Sequence, residues 1–403
     1  MNVWTELAAL CVYGPLVVLL HEAGHALFAR AGGYRVTSFA VGLGPPLWSI
    51  YLRDGVVLHV DRWLVAGGAC TAIPMGTPTR RRAWFHAGGL IVQAGLALLL
   101  LMLPSSALVD RMAQFNVLVA LTNALPWRWA GQASDGWHLL DALTGTHRAG
   151  TVVAQRGSLQ RMAEREEAAG SPVGSTWCQV CLAWSDVQLG APDQARARLA
   201  GHAAQATRAP WLDALFHVVD AEIHRTEARP LRALAILEEA TGIDGLSDDG
   251  HALVRLAEAR AWLDAGGPER SRSSLAELAG TAGPLATQAT AVLLWASLDG
   301  PTVDLELATW RVERRAHEAW IDPLDAVVAL AAAADELRQR GRLPAARGAS
   351  DAAAAILSRV LRSLDEVDAR QARMRVGQSS WHSHEARGHT PMRSKERRST
   401  DRI

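Results

Sequence analysis

Along its first 130 residues the chain sets long uncharged apolar stretches between short polar ones, and the pattern predicts membrane helices. Leu7 to Leu20 carries no charge, and the apolar character continues through His21 and His25 to Ala29. A helix over 7–29 would be roughly 34 Å long at 1.5 Å per residue, enough to span a bilayer. Ala87 to Leu103 is a second run whose only polar side chain is Gln93. Met112 to Trp129 is a third and weaker one, interrupted by Gln114, Asn116, Thr122, Asn123 and Arg128. A single run of this kind reads equally well as a core helix; three in succession favour membrane insertion.

Between the first two runs the pattern changes. Ser49 to Val60 places strand-favouring residues on both sides of Asp54-Gly55, a hairpin signal. Val41-Gly-Leu-Gly-Pro-Pro46 precedes it and Val65-Ala-Gly-Gly-Ala-Cys70 follows. Glycine and proline at that density predict backbone that turns tightly or approaches something closely. In a bilayer such backbone is tolerated only against protein or a water-filled cavity.

From about residue 175 the periodicity is helical and the composition rich in Ala and Leu. A glycine followed by an Ala/Arg/Leu helix recurs at Leu189-Gly190, Ala265-Gly266 and Arg340-Gly341. Those spacings divide into units of about 38 residues, with intermediate units at Thr226–Pro230 and Asp299–Pro301. The pattern resembles tetratricopeptide-type helical hairpins, whose period is near 34 residues; an irregular helical bundle is the alternative. Stacked hairpins form concave surfaces for peptide partners. Cys178 and Cys181 lack a second pair at zinc-site spacing and read as small apolar residues on one helix face. Trp177, Trp184, Trp211 and Trp262 read as packing anchors. The tail 371–403 is polar, basic and without periodicity, which predicts disorder, with anionic lipid as its one candidate contact.

Charge separates the same three segments. The 403 residues sum to a formal net charge of zero with 49% hydrophobic residues, which excludes a wholly disordered chain and an electrostatically driven nucleic-acid binder. Residues 1–150 carry net +3 and 371–403 net +5, so 151–370 carries −8. Four cysteines exclude a disulfide scaffold, and no secretory leader is expected. Lys395 is the single lysine, an arginine bias that fits a GC-rich bacterial genome.

The chemistry lies in the first apolar run. His21-Glu22-Ala23-Gly24-His25 is an H-E-x-x-H motif. Spacing of i and i+4 puts both imidazoles on one helix face, where they can bind one zinc ion. Glu22 can then take a proton from the zinc-bound water, whose pKa the metal lowers to around 7. Two histidines and a glutamate inside a membrane helix are costly and mark function by default. A third ligand is needed, and His59, His86, Asp135 and His138 are the candidates. Asp135 stands in Asn123-Ala-Leu-Pro126 … Ser134-Asp135-Gly136, where Ser134 can cap a helix and Gly136 lets backbone come close.

With these residues in view the chain resembles the site-2 proteases, zinc metallopeptidases that cut within membranes. The likeness rests on H-E-x-x-H in the first helix and N-x-x-P … D-G after the third. Val41-Gly-Leu-Gly-Pro45, Gly67-Gly68 and Ala87-Gly88-Gly89-Leu90 are similar to further family segments, with Gly89 where the family has proline. The resemblance covers roughly residues 5–145. It implies zinc on His21, His25 and Asp135, Glu22 as base, and Asn123 near the substrate or the developing oxyanion. Eight residues separate Pro126 from Asp135 where the commonest family form has four. A longer loop is therefore expected there, with His138 as the alternative ligand.

The expected architecture is an all-α integral membrane protein. A three-helix metalloprotease core with a small β-hairpin and Gly-rich insertion occupies 1–150, a soluble helical-repeat domain 151–370, and the basic tail 371–403. The expected activity is hydrolysis of membrane-anchored proteins or peptides in the plasma membrane of a bacterium. A non-proteolytic scaffold acting through its repeats is the alternative. Seven arginines between the first two helices place that loop, and through the third helix the repeat domain, in the cytosol. There the repeats could hold a cytosolic protein partner.

Overall fold

A computed structural model describes residues 3–52, 56–74, 81–129, 132–144, 156–281, 284–298, 302–315, 323–362, 369–370, 372–374 and 376. The first apolar run becomes α1 (Val3–Ala31), longer than expected at both ends. Arg30 in its last turn complements the negative end of the helix dipole. α2 (Arg81–Met102) lies against it, and α3 (Ala107–Ala124) against both. Ser106 caps α3, accepting the Val109 amide at 3.3 Å. Two stretches among the described residues are long and apolar enough to cross a membrane, Leu10–Ala31 and Ala83–Met102. The third is shorter and carries Asp110 and Arg111 near its start.

α1 and α2 touch through glycines. A Cβ on Gly24 would lie 2.6 Å from the Gly88 carbonyl oxygen, and one on Gly88 would lie 2.6 Å from that of Gly24. Small residues let the two backbones approach to this distance.

The hairpin is larger than its sequence signal. β1 (Tyr34–Tyr51) and β2 (Val57–Pro74) are 18 residues each, closed by the Leu52 amide on the Val56 carbonyl at 2.8 Å. The glycine-rich segments expected as turns are parts of these strands. Both strands bend there, at Gly42 (φ +104°), Gly44 (φ +99°) and Gly67 (φ +133°), values open to glycine and strained for other residues. The bends fold the ribbon onto itself. Ala40 therefore faces both Ala69 and His59, and His59 also faces Ser49. Leu47, Trp48, Tyr51, Trp63 and Leu64 leave the ribbon exposed.

After α3 a short ribbon, β3 (Arg128–Trp129) and β4 (Gln132–Ala133), leads into α4 (Asp135–Thr144). The described residues beyond it are mostly helical. α5 (Arg156–Ala168) is followed by α6 (Pro172–Gln188), α7 (Pro192–Leu199), α8 (Ala203–Ala206), α9 (Pro210–Thr226) and α10 (Pro230–Thr241). Then come α11 (Asp248–Asp264), α12 (Pro268–Gly280), α13 (Pro284–Ala296), α14 (Thr302–Arg315), α15 (Pro323–Gln339) and α16 (Leu343–Leu361).

α6, α9, α11, α13 and α15 begin 38, 38, 36 and 39 residues apart. The recurring glycine closes the first helix of a pair. Gly190, Gly266 and Gly341 have φ between +75° and +80°. In each case the next amide reaches back to a carbonyl at 2.8 Å: Ala191 to Asp186, Gly267 to Trp262, Arg342 to Leu337. At the intermediate unit Ala228 takes the same turn at φ +57°. Residues 299–301 lie outside the described set, as do 145–155 at the expected domain boundary and nearly all of the tail.

Buried Leu, Val and Ala side chains of α5–α13 form one core, which includes Trp211, Cys178 and Cys181, and those of α13–α16 form a second. Trp177 and Trp184 pack against the first, and Trp262 lies beneath the Arg270 guanidinium at 4.5 Å. Charge also ties the helices. Glu222, on α9, accepts from Arg225 at 2.7 Å and pairs with Arg260 of α11 at 3.3 Å; Arg260 also pairs with Asp325 of α15.

Candidate metal centre

His21 and His25 project from one face of α1, one turn apart, and both are buried. Their Nε2 atoms lie 3.1 Å from each other. Asp135 Oδ2 completes the group, 2.9 Å from His21 Nε2 and 3.3 Å from His25 Nε2. Donors 2.0–2.1 Å from a tetrahedral zinc would be about 3.3 Å apart. Two imidazole nitrogens and a carboxylate oxygen turned toward one point fit such an ion. Among the described residues this is the one such group of three or more His, Cys, Asp or Glu.

The surroundings hold the donors in place. His25 Nδ1 donates to the Phe85 carbonyl oxygen at 2.8 Å, which leaves Nε2 as the atom available to a metal. His21 Nδ1 faces Gly89, where a Cβ would stand 2.7 Å from it and 2.6 Å from His25 Nε2. Gly89 thus lets α2 come up against both imidazoles. Asn123 Nδ2 lies 3.5 Å from His21 Nε2, at the edge of the group.

The longer loop before Asp135 is absorbed by the small ribbon. Arg128 faces Ala133 and Trp129 faces Gln132, so the extra residues leave and return. The Ser134 hydroxyl then fastens the turn. It donates to the Leu125 carbonyl at 2.6 Å and accepts the Trp127 and Trp137 amides at 3.2 Å each. A Cβ on Gly136 would collide with the Ala124 carbonyl. Burial alone would raise the Asp135 carboxyl, but hydrogen bonds from His21 and His25 and their charge outweigh it and hold the group well below the usual carboxylate range.

The other candidate ligands lie elsewhere. His138 stacks on His86 with ring centroids 4.8 Å apart. His59 Nδ1 bonds Asp61 Oδ1 at 2.8 Å within the ribbon. Cys178 and Cys181 are buried in α6, and burial pushes both thiols up.

Glu22 is 5% exposed and turns toward the ribbon. A Cβ on Gly68 would meet its Cγ at 2.7 Å and its Oε1 at 2.8 Å. The sequence had marked Gly67-Gly68, but not that the second glycine is the one against the carboxylate. Phe85 carried no sequence signal, because it acts through its carbonyl.

The comparison with known families turns on the segment that holds this motif. Residues 8–107 match the family model described as Peptidase family M50. Several curated relatives, all provisionally named, match shorter stretches. A protease of Enterococcus faecalis, eep, is 36% identical over 72 residues, covering 18% of this chain and 17% of its own. A zinc metalloprotease of Streptococcus pyogenes serotype M3 is 37% identical over 76 residues, 17% of this chain and 18% of its own. One from Staphylococcus aureus is 39% identical over 64 residues, 16% and 14%. The matched stretch spans about a sixth of the length of these relatives.

Proposed function

We propose that the protein is a membrane-embedded zinc endopeptidase of the site-2 protease type that hydrolyses peptide bonds of membrane-anchored proteins or peptides. The convergence of His21 Nε2, His25 Nε2 and Asp135 Oδ2 within 3.3 Å, on a chain whose residues 8–107 match Peptidase family M50, carries this reading. His21, His25 and Asp135 would hold a zinc ion, which would supply a Lewis acid and lower the pKa of water enough for it to act as a nucleophile near neutral pH. Glu22 takes the proton of the attacking water and passes it to the leaving amine. Asn123 Nδ2 donates toward the oxygen on which charge develops. The burial of Glu22 against Gly68 supports an enzyme over a scaffold, which would have no use for a carboxylate there.

Several features favour the bilayer as its setting. Val12, Leu16, Leu27, Leu98, Leu99, Leu101, Leu118 and Leu121 leave α1–α3 as exposed apolar side chains, a surface unsuited to water. The ribbon and the helical unit are in contact, since Ser38 donates to Glu166 at 2.6 Å. This contact supports a topology in which both lie on one side of the membrane and α3 crosses. The arginine-rich loop favours the cytosol of a bacterial cell for that side. The tetratricopeptide-like hairpins there hold a substrate's cytosolic segment or a regulator near the site.

The test pairs zinc stoichiometry of purified protein with a proteomic search in cells carrying Glu22→Gln. One zinc per chain and accumulation of specific membrane proteins are expected. Bound zinc with no accumulating protein would favour the scaffold.

A further inference from the structure

The ribbon that covers Glu22 is also held by the helical unit. Ile73 of β2 lies in the same buried core as Leu159 and Ala163 of α5 and Val173 of α6. Arg35 donates to the Arg208 carbonyl oxygen at 3.0 Å. Arg165 of α5 stands 3.9 Å from Asp61. The deepest of these contacts is the hydrogen bond from Ser38 Oγ to Glu166 Oε1, between residues 1% and 0% exposed.

A buried carboxylate is costly unless it is partnered. The Ser38 hydroxyl serves Oε1. Oε2 lies over the first turn of α6, against Gly174, where the helix dipole favours negative charge, but it has no hydrogen-bond partner among the described residues, so the Ser38 bond carries the more weight. Removing the ribbon would leave the carboxylate short of its one side-chain donor. The chain from this bond to the metal centre is short. Ala40 follows Ser38 by two positions, Gly68 packs on the Ala40 carbonyl, and Gly68 rests on Glu22.

We propose that Glu166 is a positioning residue for the metal centre: by holding Ser38 it sets how closely the ribbon lies against Glu22. This rests on the reading of Glu22 as the base. The helical unit is then a wall of the site rather than a tethered appendage, and a partner that shifts α5 or α6 alters the active site directly.

A native thiol reports the seating of the ribbon. Cys70 sits opposite Phe39 in β2, half-buried. Burial, with the Glu22 and Glu166 carboxylates nearby, pushes its thiol up, so the seated form reacts slowly. The experiment uses the full-length, zinc-loaded protein in detergent with a maleimide, the modification read residue by residue by mass spectrometry. Glu166→Ala and Ser38→Ala should each speed modification of Cys70 on the order of tenfold. Glu166→Gln, whose amide oxygen still accepts from Ser38, should stay close to wild type. With a cleavable substrate, Glu166→Ala should lower kcat more than it raises KM, because the base rather than substrate binding is displaced, while zinc remains at one per chain. Ser38→Ala removes one hydroxyl only and serves if Glu166→Ala does not fold. An unchanged Cys70 rate in Ser38→Ala would overturn the proposal. If the wild type binds no zinc, the enzymatic reading fails instead, and the thiol measurement still tests the contact between ribbon and helical unit.

Discussion

Asp135 Oδ2 lies 2.9 Å from His21 Nε2 across 114 positions of chain. The small ribbon of Arg128–Ala133 and the Ser134 turn make that meeting possible. Two replacements test the assignment. Asp135→Ala should abolish zinc binding, a larger effect than the ~10–100-fold cost of losing an outer partner. His138→Ala, which removes a ring stacked on His86, should leave one zinc per chain. Plasma emission spectrometry on the purified variants decides, and the reverse pattern would exchange the ligand.

Ser134 should matter beyond its size. Ser134→Ala removes one donor and two accepted bonds at the start of α4, and a lost cap costs about 1 kcal/mol. The start of α4 then loosens and Asp135 with it. A chelator competition should show weaker zinc binding, while Ser106→Ala, at the cap of α3 away from the site, should not change it.

Gly89→Ala should fill the space that the ligands use. Its Cβ would stand 2.5 Å from His21 Cε1 and 2.6 Å from His25 Nε2, and overpacking of this kind costs roughly 1–3 kcal/mol. Zinc affinity should fall although no ligand is removed. Gly95→Ala, on the same helix with open space around it, is the matched control. Equal affinities in the two variants would show that α2 yields.

Arg260→Ala should destabilise the helical unit. It removes one of the two guanidinium partners of Glu222, 4% exposed, and since Arg225 remains at 2.7 Å the cost should stay below the roughly 3–5 kcal/mol of a buried charge left unpaired. Thermal unfolding followed by circular dichroism should show a lower Tm, and Glu222→Gln added to Arg260→Ala should recover part of it. No recovery would mean that the charge network is not what holds α9, α11 and α15.

Topology has its own test. A reporter fused to the C-terminus that is active only in the periplasm should stay silent, and one active in the cytosol should respond. The reverse outcome would invert the orientation drawn from the arginine count, and with it the cytosolic role of the hairpins.

What the sequence determined is local. The spacing of His21 and His25 places them together on any helix, because 3.6 residues make a turn. The glycines at 190, 266 and 341 announce their turns, because a left-handed residue closes a helix at little cost when it is glycine. Ala228 takes that turn without glycine, so only its place in the period pointed to it. Asp135 and His138 are three apart on one helix, and periodicity turns both to the same side. Which of them comes against His21 and His25 depends on how deep α4 begins, and the Ser134 turn and the Gly136 contact with Ala124 bring Asp135 there. The ribbon's length was hidden for a related reason. Gly42, Gly44 and Gly67 read as turns, but each strand bends there and stays paired, since its hydrogen bonds come from a partner distant in sequence. The closeness of Gly68 to Glu22 and the bond between Ser38 and Glu166 follow from packing between separate segments. Nothing in a buried serine or glutamate, taken along the chain, distinguishes it from one exposed to water.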